Sequence, residues 1–487
     1  MNKLTYLFLI ALFCQLQPNQ AQAQTQYTLQ QVIDLAQDKS LSGLAAKNRK
    51  KNRYWQYRVY KSNYSPQLRL NGTLPNYYKD IRVISTSEGD IFAGRNQLSN
   101  DIGLGLTQSI ALTGGTVTLG STLRRNDFYF DTLKTQTQYA SSPLVITVNQ
   151  PLFQFNELKW DKKIEPIRYD ESVRAYNEEM EGIALRATEL YFGLLLAQMN
   201  YQIATLNKAN NDTIFRIANG RYSLGKIAEN ELLQLELNVV TAEQELSSAR
   251  LDMETAALSL NSFIGNINNE KINLAVPKET PQFVIEESVA LQEASQNRPA
   301  FLSFQRRKLE AERIVARAKG ENGLQMNLFG QFGLNQQAGS LSGAYKDAEQ
   351  QQQVALGFQI PIMDWGRQKA RMQTSLANQE LINNTVDQEK IQFEQEIMVL
   401  VRQFEIFRQR LVSTARAEDV SQRSYNIANK RYLVGKISVT DLNLTLQQKD
   451  RSKRSYLDAL RQFWEAYYRL RLLTLHDFRK NEKIIYE

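Results

Sequence analysis

Two periodicities divide the chain. One places an apolar residue every three or four positions: Tyr169, Val173, Tyr176, Met180, Ile183, Ala187, Leu190, Leu194, Ala197, Tyr201 and Ala204, then Leu232, Leu235, Val239, Ala242, Leu246, Ala249, Met253, Ala256 and Leu260. Steps of four and three keep these side chains on one seam of a helix, the heptad spacing of a coiled coil. The pattern returns from Asp364 to Arg431 and from about Ser438 to Leu475, where Tyr456, Leu460, Phe463, Tyr467 and Leu470 keep the step. At 1.5 Å per residue such helices reach roughly 100 Å, a span suited to crossing an aqueous compartment.

The other periodicity is strict alternation. Leu68 and Leu70 oppose Gln67, Arg69 and Asn71; Leu144, Ile146 and Val148 oppose Thr147 and Asn149. Further on, Leu324, Met326, Leu328, Phe332 and Leu334, then Val354, Leu356, Phe358, Ile360 and Ile362, alternate with polar and small residues. These predict two-faced strands of about the ten residues that cross a bilayer at a tilt. Alternation also fits a soluble sandwich. Ile102, Leu104 and Leu106, the turn Thr113 to Thr116, then Val117, Leu119 and Leu123 predict an additional strand pair. Segments 79–100 and 124–142, rich in Asn, Asp, Ser, Thr and Gln, read as loops.

A short stretch occurs twice between helical segments. Ile217 to Ile227 contains Arg221, Tyr222, Gly225 and Lys226; Ile427 to Ile437, 210 residues later, contains Arg431, Tyr432, Gly435 and Lys436. The glycines allow the chain to reverse, so each copy reads as the tip of a helical hairpin. Pro151-Leu152-Phe153 falls on Pro361-Ile362-Met363 at the same spacing, which argues for a duplicated unit. Ser438 with Asp441 resembles a capping box. Thr28 before Leu29 reads as an N-cap, and Pro66 closes the first helical arm.

The organisation that follows is a signal peptide over 1–23, a helical arm over 24–65, strands and loops over 66–152, and a first hairpin over 153–264 with its tip at 219–231. A connecting belt and second arm follow over 265–322, strands over 323–363, a second hairpin over 364–480 with its tip at 429–441, and a tail over 481–487. The belt, with Gly265 to Asn269, Pro277 and Pro281, breaks the helices.

Composition sharpens this picture. Lys3, the apolar run Leu4 to Phe13, and Ala21-Gln22-Ala23 form a secretory signal with cleavage near Gln24. The one cysteine, Cys14, leaves with that segment unless it is lipidated, so no disulfide or cysteine-based metal site is expected. No later apolar run approaches the ~20 residues of a spanning helix, so any membrane crossing falls to strands. The net charge of +8 is spread along the chain and makes no case for nucleic acid.

Candidate chemistry dissolves on inspection. Gly220 to Lys226 mimics a phosphate-binding loop, but a helix precedes it, Ile227 stands where a Ser or Thr would hold magnesium, and the second copy has Lys430 for the first glycine. Ser223 with Lys226 mimics a nucleophile motif, yet the repeat has Leu433 there. His476, the only histidine, reads as a packed or solvated residue of the terminal helix. No catalytic constellation, cofactor or metal site is expected, and the chain is not read as an enzyme.

The signal peptide, the duplicated strands and hairpins, Gln150-Pro151-Leu152-Phe153 and the doubled Arg-Tyr-x-x-Gly turn together resemble the TolC family of outer-membrane efflux factors. The resemblance implies an α+β membrane protein. Three copies would share one β-barrel in the outer-membrane lipid, continued by a long α-helical coiled-coil tunnel into the periplasm of a Gram-negative bacterium. It also implies a periplasmic adaptor protein and, through it, an inner-membrane pump of RND, ABC or MFS type. Substrates would be conducted passively. The hairpin tips would form the closed entrance and the adaptor-docking surface at Gly225, Lys226, Gly435 and Lys436. Tyr222 with Glu231, and Tyr432 with Asp441, stand at the family's closing positions.

An acid at the start of a helix also suits the helix dipole, so Glu231 and Asp441 have a purely local reading as well. Two departures stand out: Leu444 replaces a second family aspartate and Ile437 a basic residue, which points to Arg431 and Lys436 as alternative gate residues. The strand pair at 102–123 exceeds the family's usual four strands per subunit. It either joins the barrel, for roughly eighteen strands per trimer rather than twelve, or forms an external flap. A barrel would place Tyr77, Tyr78, Phe128 and Tyr129 near the ends of its strands. The alternative reading from another class is a non-conducting periplasmic coiled-coil tether with a soluble β domain.

Overall fold

The computed structural model describes residues 26–87, 89–129, 135–266, 272–277 and 283–486. The expected signal peptide with Cys14, and Ile267, Asn268, Asn269 and Pro281 of the belt, lie outside the described residues. The chain divides into two units. The first takes residues up to Arg49, Arg174–Arg298 and Phe393 onward; the second takes Lys50–Val173 and Pro299–Gln392.

Eight α-helices are described. They are α1 (Leu29–Lys39), α2 (Leu41–Ser62), α3 (Glu157–Ser223), α4 (Glu229–Ile264), α5 (Glu287–Asn297), α6 (Pro299–Glu321), α7 (Arg367–Leu433) and α8 (Val439–Thr474). The duplication is metrical: α3 and α7 each have 67 residues, α4 and α8 each 36. Thr28 caps α1 through a capping box with Gln31. The arm expected over 24–65 is two helices, broken at Ser40, whose hydroxyl accepts from the Gly43 amide at 2.9 Å.

In the first unit the heptad residues are the ones withdrawn from solvent. Tyr176, Met180, Ala187 and Leu194 of α3, Leu235, Ala242, Ala249 and Leu260 of α4, and Leu460, Phe463, Tyr467 and Leu470 of α8 are buried. Burying a large apolar side chain is worth about 1.5–3 kcal/mol, so the seam holds the helices together. The end of the chain is clamped onto this core. The Tyr486 hydroxyl donates to Glu181 at 2.6 Å, Arg471 donates to Glu181 at 2.8 Å and to Asp477 at 3.0 Å, and the Tyr467 hydroxyl donates to Asp477 at 2.6 Å. His476 is buried just past α8 rather than on it, with its ring nitrogens 3.3 Å from Glu293 and 3.3 Å from Asn481. It is a packed residue because α8 stops at Thr474 and the chain turns into a short hairpin.

The second unit carries one antiparallel sheet of seven strands: β1 (Gln67–Thr73), β2 (Tyr77–Thr86), β3 (Gly89–Ile110), β4 (Gly115–Phe128), β5 (Gln136–Leu152), β6 (Gln325–Ala338) and β7 (Glu349–Gln359). Six lie abreast, in the order β1-β3-β4-β5-β6-β7, because β1 and β2 occupy successive stretches of one edge of β3. The register joins the alternations into faces. Leu70 lies opposite Leu104, Leu106 opposite Leu119, Leu119 opposite Ile146, Ile146 opposite Phe332, and Leu328 opposite Leu356. Cross-strand partners share a face, so one face is apolar across all six strands. The other carries Gln67, Thr107, Thr118, Thr147, Gln331 and Gln353 in one matching row.

The structure corrects the reading of 79–100 and 124–142 as loops. Gly89–Ile110 is one 22-residue strand, its first half paired with β2 into a hairpin, and most of 124–142 extends β4 and β5. The pair expected at 102–123 is part of this same sheet: β3 and β4 hold interior positions, hydrogen-bonded on both sides. Tyr78 and Phe128 both lie opposite Gln97, and Tyr77 opposite Leu98. These aromatics come to one level of the sheet, but only Tyr77 stands on the apolar face.

Candidate functional site at the hairpin tips

The doubled motif builds the same turn twice. In the first copy the Lys226 amide donates to the Arg221 carbonyl at 2.9 Å and the Gly225 amide to the Tyr222 carbonyl at 2.8 Å. In the second, Lys436 donates to Arg431 at 2.9 Å and Gly435 to Tyr432 at 2.8 Å. This pair of bonds is the Schellman motif, which satisfies carbonyls at a helix C-terminus and requires a left-handed residue. Gly225 and Gly435 supply it at φ +67° and +71°. The segment that mimics a phosphate-binding loop is therefore a helix end followed by a reversal, and the Ser223 hydroxyl donates to its own helix at the Gly220 carbonyl, 2.9 Å.

The return helices start differently. Ser438 and Asp441 form the expected capping box: the Ser438 hydroxyl donates to the Asp441 carboxylate at 2.8 Å, the Ser438 amide does so at 3.2 Å, and the Asp441 amide donates to Ser438 Oγ at 3.1 Å. These bonds hold the Asp441 carboxyl below the usual carboxylate range. At the equivalent positions Ala228 offers no side-chain cap and Glu231 stays exposed in the first turn of α4. Within the chain, among the described residues, Asp441 makes no hydrogen bond to Tyr432 or Lys436; its carboxylate serves its own helix.

Beneath the turns the two hairpins share an apolar cluster of Ile214, Ala218, Leu235, Tyr425, Ala428, Tyr432, Leu442 and Leu446. Equivalent tyrosines part company here. Tyr432 is 4% exposed and Tyr222 40%. The Arg221 guanidinium lies 5.7 Å from the Tyr432 ring centre, within cation–π range. Burial pushes the Tyr432 hydroxyl pKa up, Arg221 opposes that, and Glu231 adds to it. Thus the structure brings Tyr432, Arg221 and Glu231 into one electrostatic neighbourhood, while Arg431, Lys226 and Lys436 are exposed around it. Leu224, Leu433 and Val434 add exposed apolar side chains at the turns.

Sequence reasoning missed a second set of links between the hairpins. The Asn207 amide of α3 donates to the Asp450 carboxylate of α8 at 2.7 Å, both residues being buried. Lys449 Nζ lies 3.0 Å from the other Asp450 oxygen, and Arg454 donates to Asn200 at 3.2 Å. A signal was present: Leu442, Leu446 and Asp450 step by four, so the acid stands where the apolar row calls for another leucine.

Residues 94–266 and 290–474 match the family described as Outer membrane efflux protein. No curated protein matches the sequence. Among solved structures, the chain is similar to the CmeC outer membrane channel of Campylobacter jejuni at 16% identity and TM-score 0.65, over 92% of this chain and 85% of that one. A membrane protein of Pseudomonas aeruginosa matches at 15% and 0.65, over 92% and 93%. The MtrE outer membrane channel of Neisseria gonorrhoeae, solved in its open state, matches at 16% and 0.62, over 92% and 89%. At such identities the structures speak for the fold, and the family match spans both duplicated halves. The chain belongs to the outer membrane efflux protein family.

Proposed function

We propose that this protein is the outer-membrane channel of a tripartite efflux or secretion system and conducts substrates passively, without bond chemistry. The observation that carries this reading is the two-faced sheet with two open edges. Leu68, Leu70, Leu356 and Phe358 are exposed on its apolar face, whereas a soluble sandwich would cover that face with a second sheet. Exposed apolar surface of this extent calls for lipid, and an open edge calls for another strand. A homotrimer meets both needs. In the helical unit, Val399, Ile406, Val420 and Ile427 are exposed on α7 at intervals of seven or fourteen residues, a second heptad row suited to a neighbouring copy.

The energy comes from an inner-membrane pump that reaches the channel through a periplasmic adaptor. The adaptor docks at the tips, where Gly225, Lys226, Gly435 and Lys436 form the turns beside exposed Leu224, Leu433 and Val434. The gate is the same region. Tyr222, Glu231 and Asp441, with Arg431 and Lys436, hold adjacent hairpins by charge-assisted contacts, while buried Tyr432 joins the two hairpins of one chain; adaptor binding shifts this two-state interface open.

Conductance of the detergent-extracted, size-characterised protein in a planar bilayer tests both parts. Because Asp441→Ala would also remove a helix cap, the informative variant is Asp441→Gln, which keeps the capping box and removes the charge. Discrete channels that widen in Asp441→Gln and Tyr432→Phe are expected. A well-folded protein that never conducts would refute the channel, and unchanged conductance in both variants would refute the gate.

A further inference from the structure

The sheet has a property that the outer-membrane reading does not require. The chain runs up in β1, down in β3, up in β4, down in β5, up in β6 and down in β7. Six strands abreast is an even number, so the two open edges, β1 and β7, run in opposite directions. The β1 edge of one copy therefore meets the β7 edge of the next in the same antiparallel sense as every pairing inside the sheet. The faces match as well. Leu68 and Leu70 at one edge and Val354, Leu356 and Phe358 at the other stand on the same apolar side.

The membrane band is legible on this sheet. On β3 this face carries Ile102, Leu104, Leu106 and Ile110, interrupted by Gln108, over about the 9–11 residues that span the bilayer core at a tilt. Just above, it turns polar where Asn100 lies opposite Arg125 and Arg125 pairs with Asp127 at 3.0 Å, before Leu98 and Tyr77 mark the level of the aromatics. The opposite face of β3 and β4 within the band is small and polar. Gly103 lies opposite Thr122, Gly105 opposite Gly120, and Thr107 opposite Thr118 with their hydroxyls 3.0 Å apart. A barrel wall shows this distribution, apolar outward and small or polar toward water. An external flap would have no reason to carry a band of membrane height.

Resting on the trimeric channel reading, we infer that β3 and β4 are wall strands of the pore. Three copies then build an eighteen-stranded barrel in which Gly103, Gly105, Thr107, Thr118, Gly120 and Thr122 line the lumen. Barrel diameter grows roughly linearly with strand number, so eighteen strands widen the barrel by about half relative to the twelve that would remain without this pair. The glycines leave that width open. The outer-membrane segment is thus built to pass bulky or hydrated solutes without contact, and discrimination falls to the helical end.

Disulfide trapping in the full-length trimer tests the wall directly. Asn71→Cys is combined in turn with Gln351→Cys, Gln353→Cys and Ala355→Cys, all on the polar face, and the products are oxidised in detergent and in lipid vesicles. Linked dimers and trimers from at least one combination are expected, because β1 and β7 close on each other between copies. The counter-pair is Gln67→Cys with Thr147→Cys, in one row of the polar face. Within the sheet β3 and β4 separate these strands, a distance no disulfide spans. A link there would place β1 against β5 and expel β3 and β4 from the wall, overturning the inference.

Thr118→Cys should react with a membrane-impermeant maleimide in vesicles, whereas Leu119→Cys should not, and a bimane fluorophore attached at Leu119→Cys should be quenched by brominated lipid. The reverse pattern, or equal aqueous labelling of both, would also overturn the inference. A protein that forms neither trimers nor membrane insertions would instead refute the channel reading beneath it.

Discussion

Glu181 is fully buried and shares Arg471 with Asp477, so the end of the chain hangs on three charges with little access to water. Burial opposes the charge on Arg471, and the Glu181 carboxylate overcomes it. Removing one partner of such a pair strands the other, at a cost of about 3–5 kcal/mol. Glu181→Leu is therefore expected to lower the unfolding temperature sharply and to release Tyr486, seen as new proteolytic cleavage near the C-terminus. Burial also opposes the charge on Asp477, but the Tyr467 hydroxyl, Arg471 and two backbone amides together hold its carboxyl below its usual range. Its stabilising contribution is then complete above the unfolded carboxylate value, about pH 3.9, and is lost as pH falls through the lower folded value. Thermal unfolding followed from about pH 5 to pH 2 should show an acid limb that flattens in Asp477→Asn. None of these partners is legible in the sequence, where position 181 is one glutamate among many on a long helix and its partner comes 290 residues later.

At the scale of elements, the two hairpins are built alike and capped differently. The Schellman turns follow from local chemistry, which is why the glycines could be read directly. Gly435→Ala puts a Cβ in a left-handed position and should cost about 1–2 kcal/mol, detectable as faster amide exchange at the tip. Ala228→Ser would give α4 the capping box that Ser438 gives α8, a gain of about 1 kcal/mol, and Ser438→Ala should lose about the same. If both serine changes left tip exchange unaltered, capping would not limit tip stability. The strands divide likewise. Those with one apolar face announced themselves by alternation, whereas β2 and the first half of β3, which project beyond β4, pair only with each other and mix Lys79, Asp80, Arg82, Asp90 and Arg95 with apolar residues. With solvent on both faces a hairpin has no obligation to alternate, so composition made it look like a loop.

On the channel reading proposed above, the whole molecule depends on copies of itself. A sheet with two open edges and an apolar face, together with helices that keep an exposed heptad row, is incomplete as a single chain. Ile406→Glu, in the middle of that row, is expected to shift the detergent-extracted protein from trimer toward monomer in native mass spectrometry while leaving helix content unchanged. A fully trimeric Ile406→Glu would show that the row faces solvent in the assembly.

What the sequence determined by itself was everything set by short range: the two periodicities, the hairpin tips, the Ser438–Asp441 cap, and the duplication that points to the efflux family. The first three depend on residues a few positions apart, where sterics and hydrogen bonding leave few choices, and the duplication is legible because each copy carries the same local pattern. Only the tertiary structure decided the rest. It put β3 and β4 inside the sheet, because strand order depends on pairing between distant segments. It buried Tyr432 and exposed its twin Tyr222, because identical motifs meet different neighbours once two hairpins pack. It joined Asn207 to Asp450 and Glu181 to Arg471, because a buried charge is tolerated only where folding delivers its partner.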